Sequence, residues 1–92
     1  MAHIEGPIME ILPEKRGVGR TGREWREIDV VINHVTSIQW PKNVVVTFRA
    51  SQVDVVSGLH TGDCVGCDIS IDAREWNGRW FNTVEGYNLR KL

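Results

Sequence analysis

The chain has 92 residues, 41% hydrophobic and 25% charged, with a formal net charge of −1. A chain of this length buries roughly 60–65% of its unfolded surface around one core, so one domain over 1–92 is expected and a deep enzyme cleft is not. No apolar run approaches the ~20 residues of a membrane span, and the N-terminus lacks the charged and apolar regions of a signal peptide, which points to a cytoplasmic protein without a membrane partner.

Residues Ile4–Leu12 read as a first strand ended by Pro13. Glu14–Gly22 reads as a loop, with Gly17, Gly19 and Gly22 as breakers. Arg23–Asn33 is a second strand, with Ile28, Val30 and Ile32 facing inward and Trp25, Glu27, Asp29 and Val31 outward. His34–Lys42, containing Trp40-Pro41, is a connection. A third strand, Asn43–Arg49, turns Val44, Val46 and Phe48 inward and Val45, Thr47 and Arg49 outward. Ala50–Ser57 reads as a short helix with Val53 and Val56 on one face and Gly58 at its C-terminal end.

The fourth strand, Cys64–Arg74, alternates cleanly through Val65, Cys67, Ile69, Ile71 and Ala73. Asn77-Gly78 then suits a two-residue type I′ turn into a fifth strand, Arg79–Leu89. Cys64 and Cys67 form a C-x-x-C pair, but strand residues three apart point to opposite faces and no second pair completes a tetrahedral site. Cys67 is therefore expected in the core and Cys64 as a partly exposed thiol, with no metal and no cofactor.

Five strands with one short helix between the third and fourth is the succession of an OB-fold, a small Greek-key barrel of the all-β class. An SH3-like barrel or a small sandwich also accommodates five strands, but the helix position favours the OB-fold. Short blocks in fixed order, Gly6-Pro7-Ile8, Ile11-Leu12-Pro13-Glu14, Gly22-Arg23-Glu24-Trp25, Trp40-Pro41-Lys42, Leu59-x-x-Gly62-Asp63 and Arg74-Glu75-Trp76-Asn77-Gly78-Arg79-Trp80-Phe81, extend over nearly the whole chain. In these it resembles a small bacterial family of unknown function related to OB-fold single-stranded DNA-binding proteins. The resemblance implies an OB barrel with a single-strand-binding role. Such proteins continue into an acidic tail that recruits partners, whereas here the last residues, Asn88-Leu89-Arg90-Lys91-Leu92, are basic, so tail-mediated recruitment is not expected.

OB-folds bind oligomers across the second and third strands, clasped by the 1–2 and 4–5 loops. Those loops correspond to Glu14–Gly22 and Arg74–Arg79, each beside an aromatic-basic cluster. Trp25 and Trp76 are the candidates for base stacking; Lys15, Arg16, Arg20, Arg23, Arg74 and Arg79, with Arg49 as a weaker addition, are the candidates for phosphate contacts. Trp80 and Phe81 are expected to be structural, as a cross-strand aromatic element, and Trp40 to cover a barrel end or an oligomer contact. Glu27 and Asp29 on the same face oppose a phosphate backbone.

The scattered histidines His3, His34 and His60, and the absence of a hydrolase, zinc-protease or P-loop motif, point away from an enzyme. The expected activity is binding of single-stranded nucleic acid, DNA before RNA, without sequence preference, by a homodimer or higher oligomer. The rival reading is a protein-interaction or assembly module on the same barrel.

Overall fold

The computed structural model describes residues 2–35 and 39–92. Its elements are β1 (Ala2–Ile11), β2 (Lys15–Val18), β3 (Glu24–Val35), β4 (Lys42–Arg49), α1 (Ser51–Ser57), β5 (Cys64–Trp76) and β6 (Arg79–Lys91). The strands follow the order β1-β5-β6-β4-β3-β2, and β1 pairs with β3 as well. Five strands thus close into a ring and β2 lies outside it, beside β3. This is the expected OB-fold barrel, with β1, β3, β4, β5 and β6 as its five strands.

Closure depends on β1 serving two neighbours. Ala2–Pro7 pair with β5, Ile8–Ile11 pair with β3, and the register slips between Ile8 and Glu10. A bulge of this kind bends a strand and lets it turn a barrel corner. β4 and β6 meet in parallel through a single pair, Thr47 with Glu85.

The alternation expected along the strands is present. Ile28, Val30 and Ile32 of β3, Val46 and Phe48 of β4, and Val65, Cys67 and Ile69 of β5 all enter the core. Val44 is half-buried and packs against it. Val53 and Val56 of α1 and Leu59 join them, so the helix covers apolar surface that the barrel leaves open. Leu89 N–H donates to the Gln52 side chain at 2.9 Å, tying the helix to β6. Gly86 lies against the Phe48 ring, which occupies the space a Cβ there would need. Cys67 is buried and Cys64 exposed, as their spacing on a strand requires. Burial pushes the Cys67 thiol up to about 11.

The structure departs from the sequence reading in several places: β5 runs on to Trp76, and Trp80, expected to be structural, stands exposed on β6. Glu14–Gly22 is not all loop, because Lys15–Val18 form β2 and pair with Glu24–Glu27. The connection expected from His34 begins later, since β3 runs to Val35; residues 36–38 of that call lie outside the described residues. No helix among the described residues is long and apolar enough to cross a membrane.

Candidate nucleic-acid interface

The outward face of the barrel is built by strand parity. In an antiparallel ladder, directly paired residues share a face. The pairs Gly17–Trp25, Lys15–Glu27, Glu27–Arg49 and Asp29–Thr47 therefore place these side chains on one surface of β2, β3 and β4. Glu85, level with Thr47, carries that surface onto β6, and Ser70, paired with Glu85, carries it onto β5.

Beyond Ser70 the sheet becomes a two-stranded ribbon. Every residue from Ser70 to Asn82 is exposed. The turn at its tip has Asn77 at φ 51° and Gly78 at φ 78°, the left-handed pair that a type I′ turn demands. A two-residue turn fixes the register, with Trp76 opposite Arg79, Glu75 opposite Trp80 and Arg74 opposite Phe81. One ribbon face thus carries Arg74, Trp76, Arg79 and Phe81, continuous with the barrel's outer face. The other carries Ile71, Ala73, Glu75 and Trp80.

Trp25 owes its position to Gly17. A Cβ on Gly17 would lie 2.5 Å from the indole ring, so the bare glycine provides the bed on which the ring rests. The ring remains 45% exposed. Trp76 is 69% exposed and Phe81 48%, so an aromatic surface is available at both ends of the face.

Between those ends the charges are paired. Arg49 bridges Glu27 (3.3 Å) and Glu85 (3.4 Å). Asp29 accepts from the Thr47 hydroxyl at 2.7 Å and faces Lys15 Nζ at 3.8 Å. The Tyr87 hydroxyl donates to Glu85, and this bond to a carboxylate holds the phenol proton more tightly than usual. The acids that oppose phosphate on the bare sequence are therefore each matched by a donor on the same face. Arg74 has only a loose contact with Asp72, at 3.9 Å.

The expected site residues fall into separate groups. Lys15, Trp25 and Arg49 come together on the barrel face; Arg74, Trp76 and Arg79 come together on the ribbon. Arg20 and Arg23 lie exposed in the turn between β2 and β3 and form no ion pair with described residues. Arg79 likewise has none. Arg16 has the opposite strand parity to Trp25, yet it lines a small groove together with Trp25, Gly17 and Val18. It pairs with Arg26, which follows the inward register of Ile28, and it donates to Glu14. Arg26 reaches Glu14 at 3.4 Å and Asp54 at 3.1 Å. Hydrogen bonding, chiefly from Arg16, holds the Glu14 carboxyl below its ordinary range.

Sequence reasoning passed over Phe81 as a site residue. Its signal was the parity across a two-residue turn, which puts position 81 on the face of 74 and 76 rather than on that of 80. Two grooves complete the surface. One, of about 510 Å³, is lined by Trp25, Glu27, Arg49, Ala50 and Ser51 among others. The second, of about 310 Å³ at the ribbon root, is lined by Arg49, Asp72, Arg74, Thr83 and Glu85 among others. Arg49 borders both.

Comparison with known proteins agrees with the architecture. The mitochondrial single-stranded DNA-binding protein Rim1 of S. cerevisiae superposes with a TM-score of 0.66 at 10% identity, over 98% of this chain and 91% of that one. At that identity the likeness shows the fold alone. No curated protein matches the sequence. The model of one family, described as a domain of unknown function (DUF3127), matches residues 3–90, and with nearly its whole length covered the chain belongs to that family.

Proposed function

We propose that this protein is a binding module, not an enzyme, that holds single-stranded nucleic acid, DNA in the first instance, along the outer barrel face. The observation behind this reading is the pair of grooves that meet at Arg49: Trp25 lines the first, and the second reaches Arg74, on the ribbon face that carries the exposed Trp76 and Phe81. Every base has a π-face, so stacking on such residues tolerates any sequence, at about 1–3 kcal/mol per base. Arg20, Arg23 and Arg79 sit beside the aromatics with no carboxylate partner and are the cations freest to take phosphate. Arg49, Lys15 and Arg74 line the path between. The fold shared with a single-stranded DNA-binding protein adds support.

The test is a titration with fluorescent oligo-dT while tryptophan emission is followed. Saturable binding with quenching is expected, and Trp25→Ala and Trp76→Ala should each weaken it by about 1–3 kcal/mol. Absence of binding at low salt ends this reading. The paired acids Glu27, Asp29 and Glu85 in the middle of the face then favour the second reading, a protein partner on the same surface.

A further inference from the structure

Among the described residues, β1 covers the outer edge of β5 from Cys64 to Ile69. Past that point, Ser70–Trp76 pair, among the described residues, with β6 alone and are exposed throughout. An unpaired edge is a template for another strand, and proteins blunt such edges with proline, bulges or charged side chains; the charges here include Asp72 and Arg74, whose opposite signs let a partner edge match them. This one has no proline, and its register with β6 is regular from Asp68 to Trp76.

The order of charges along the edge identifies its partner. We propose that a second copy of this chain pairs here, β5 against β5 and antiparallel, about a two-fold axis through Ala73. In that register Asp72 lies opposite the partner's Arg74, and Arg74 opposite the partner's Asp72. Ile71 meets the aliphatic stem of the partner's Glu75, and the small Ala73 meets its own copy at the axis. Moving the axis to Asp72, Arg74 or Glu75 sets like charges opposite each other, and moving it to Ile71 carries the pairing into Ile69, which β1 already covers, so the register centred on Ala73 is selected.

The backbone agrees with this centre. The Ala73 N–H is donated to Asp72 Oδ1 at 2.8 Å, which marks it as an edge-facing amide capped by the neighbouring side chain. Residues 71 and 75 share its parity, so pairing forms about six inter-chain backbone hydrogen bonds. Asp72 and Arg74 then occupy the pairs without backbone bonds, where side chains approach most closely. Their contact within one chain is loose, at 3.9 Å, so Arg74 can change partner, and Asp72 exchanges its bond from the Ala73 N–H for the partner's Arg74 as that amide joins the partner strand. The two-fold axis stands perpendicular to the ribbon, and Trp76 and Phe81 of both copies come to one side. The pairing does not depend on what that side binds.

Sedimentation equilibrium of the full chain across the micromolar range tests the proposal. The wild type should dimerise. Asp72→Arg, with two cations, and Arg74→Asp, with two anions, should each weaken the dimer at least ~10-fold. An equimolar mixture of the two variants should restore it, because every opposed pair is then Asp with Arg. Circular dichroism of each variant reports whether the barrel is intact. A wild type that stays monomeric overturns the proposal and leaves the edge to a strand of another protein. A dimer indifferent to both variants, or a mixture no tighter than either alone, overturns it too.

Discussion

At the scale of single residues, His3 shows how position sets chemistry. Its Nδ1 faces Asp68 at 3.2 Å and its Nε2 faces Glu5 at 3.1 Å. Neutral imidazole has one donor, so only the protonated ring satisfies both carboxylates. The hydrogen bond to Glu5, followed by that to Asp68, raises the His3 pKa above 6.5. Below 6.5, the ring is protonated in the folded and unfolded states alike, and its contribution to stability is fully present; it fades as pH rises through the folded value. Asp68, held below 3.8 by its hydrogen bonds from Asn88 and then His3, loses its contribution as pH falls through its own folded value. The melting temperature of the wild type should therefore exceed that of His3→Ala most between pH 3.8 and 6.5, with the gap closing above that window. A gap that is constant across pH 5 to 8 contradicts this account.

Among the elements, the β5–β6 ribbon stands out because no core supports it. Its geometry rests on cross-strand pairs and on a turn with φ 51° and 78°. Gly78→Ala places a Cβ in the left-handed region at a cost of roughly 1–2 kcal/mol. Amide exchange should quicken through Arg74–Phe81 while the barrel's melting temperature holds, since Val65, Cys67 and Ile69 keep their burial. A matching fall in global stability would show instead that ribbon and barrel fold as one unit.

The same strand shows what a sequence can and cannot reveal. Alternation identified β3, β4 and the first half of β5 with their inward sets, because period-2 burial is written directly in the side chains. It continued through Ile71 and Ala73, which in the fold face solvent. Periodicity reports an extended backbone but not whether anything covers it. β2 escaped for the converse reason. Lys15-Arg16-Gly17-Val18 has no apolar alternation, and its pairing is completed by the Trp25 ring on Gly17, a contact from the next strand. Trp25, Trp76 and the basic residues could be read as a candidate face. The neutralisation of Glu27 and Glu85 by Arg49 could not, since it joins three strands far apart in the chain.

Over the whole molecule, a net charge of −1 permits a binding face only if charge is distributed unevenly. Most cations on the outer surface are committed to carboxylates, while Arg20, Arg23 and Arg79 remain unpaired at its two ends. Three released counterions give a slope of about −2 for log K against log salt on a single strand, shallower than that for the full set of basic residues. Titrations at several salt concentrations measure it; a slope near zero rules out phosphate contact at these ends.

The seam where β1 meets β5 pairs Ile4 with Cys67, the sulfur that burial makes unreactive. Cys64, three residues earlier, stands in solvent. A thiol reagent therefore meets one sulfur in the closed barrel and two once the seam parts, so the protein contains its own chemical clock for the rate at which the ring of strands opens.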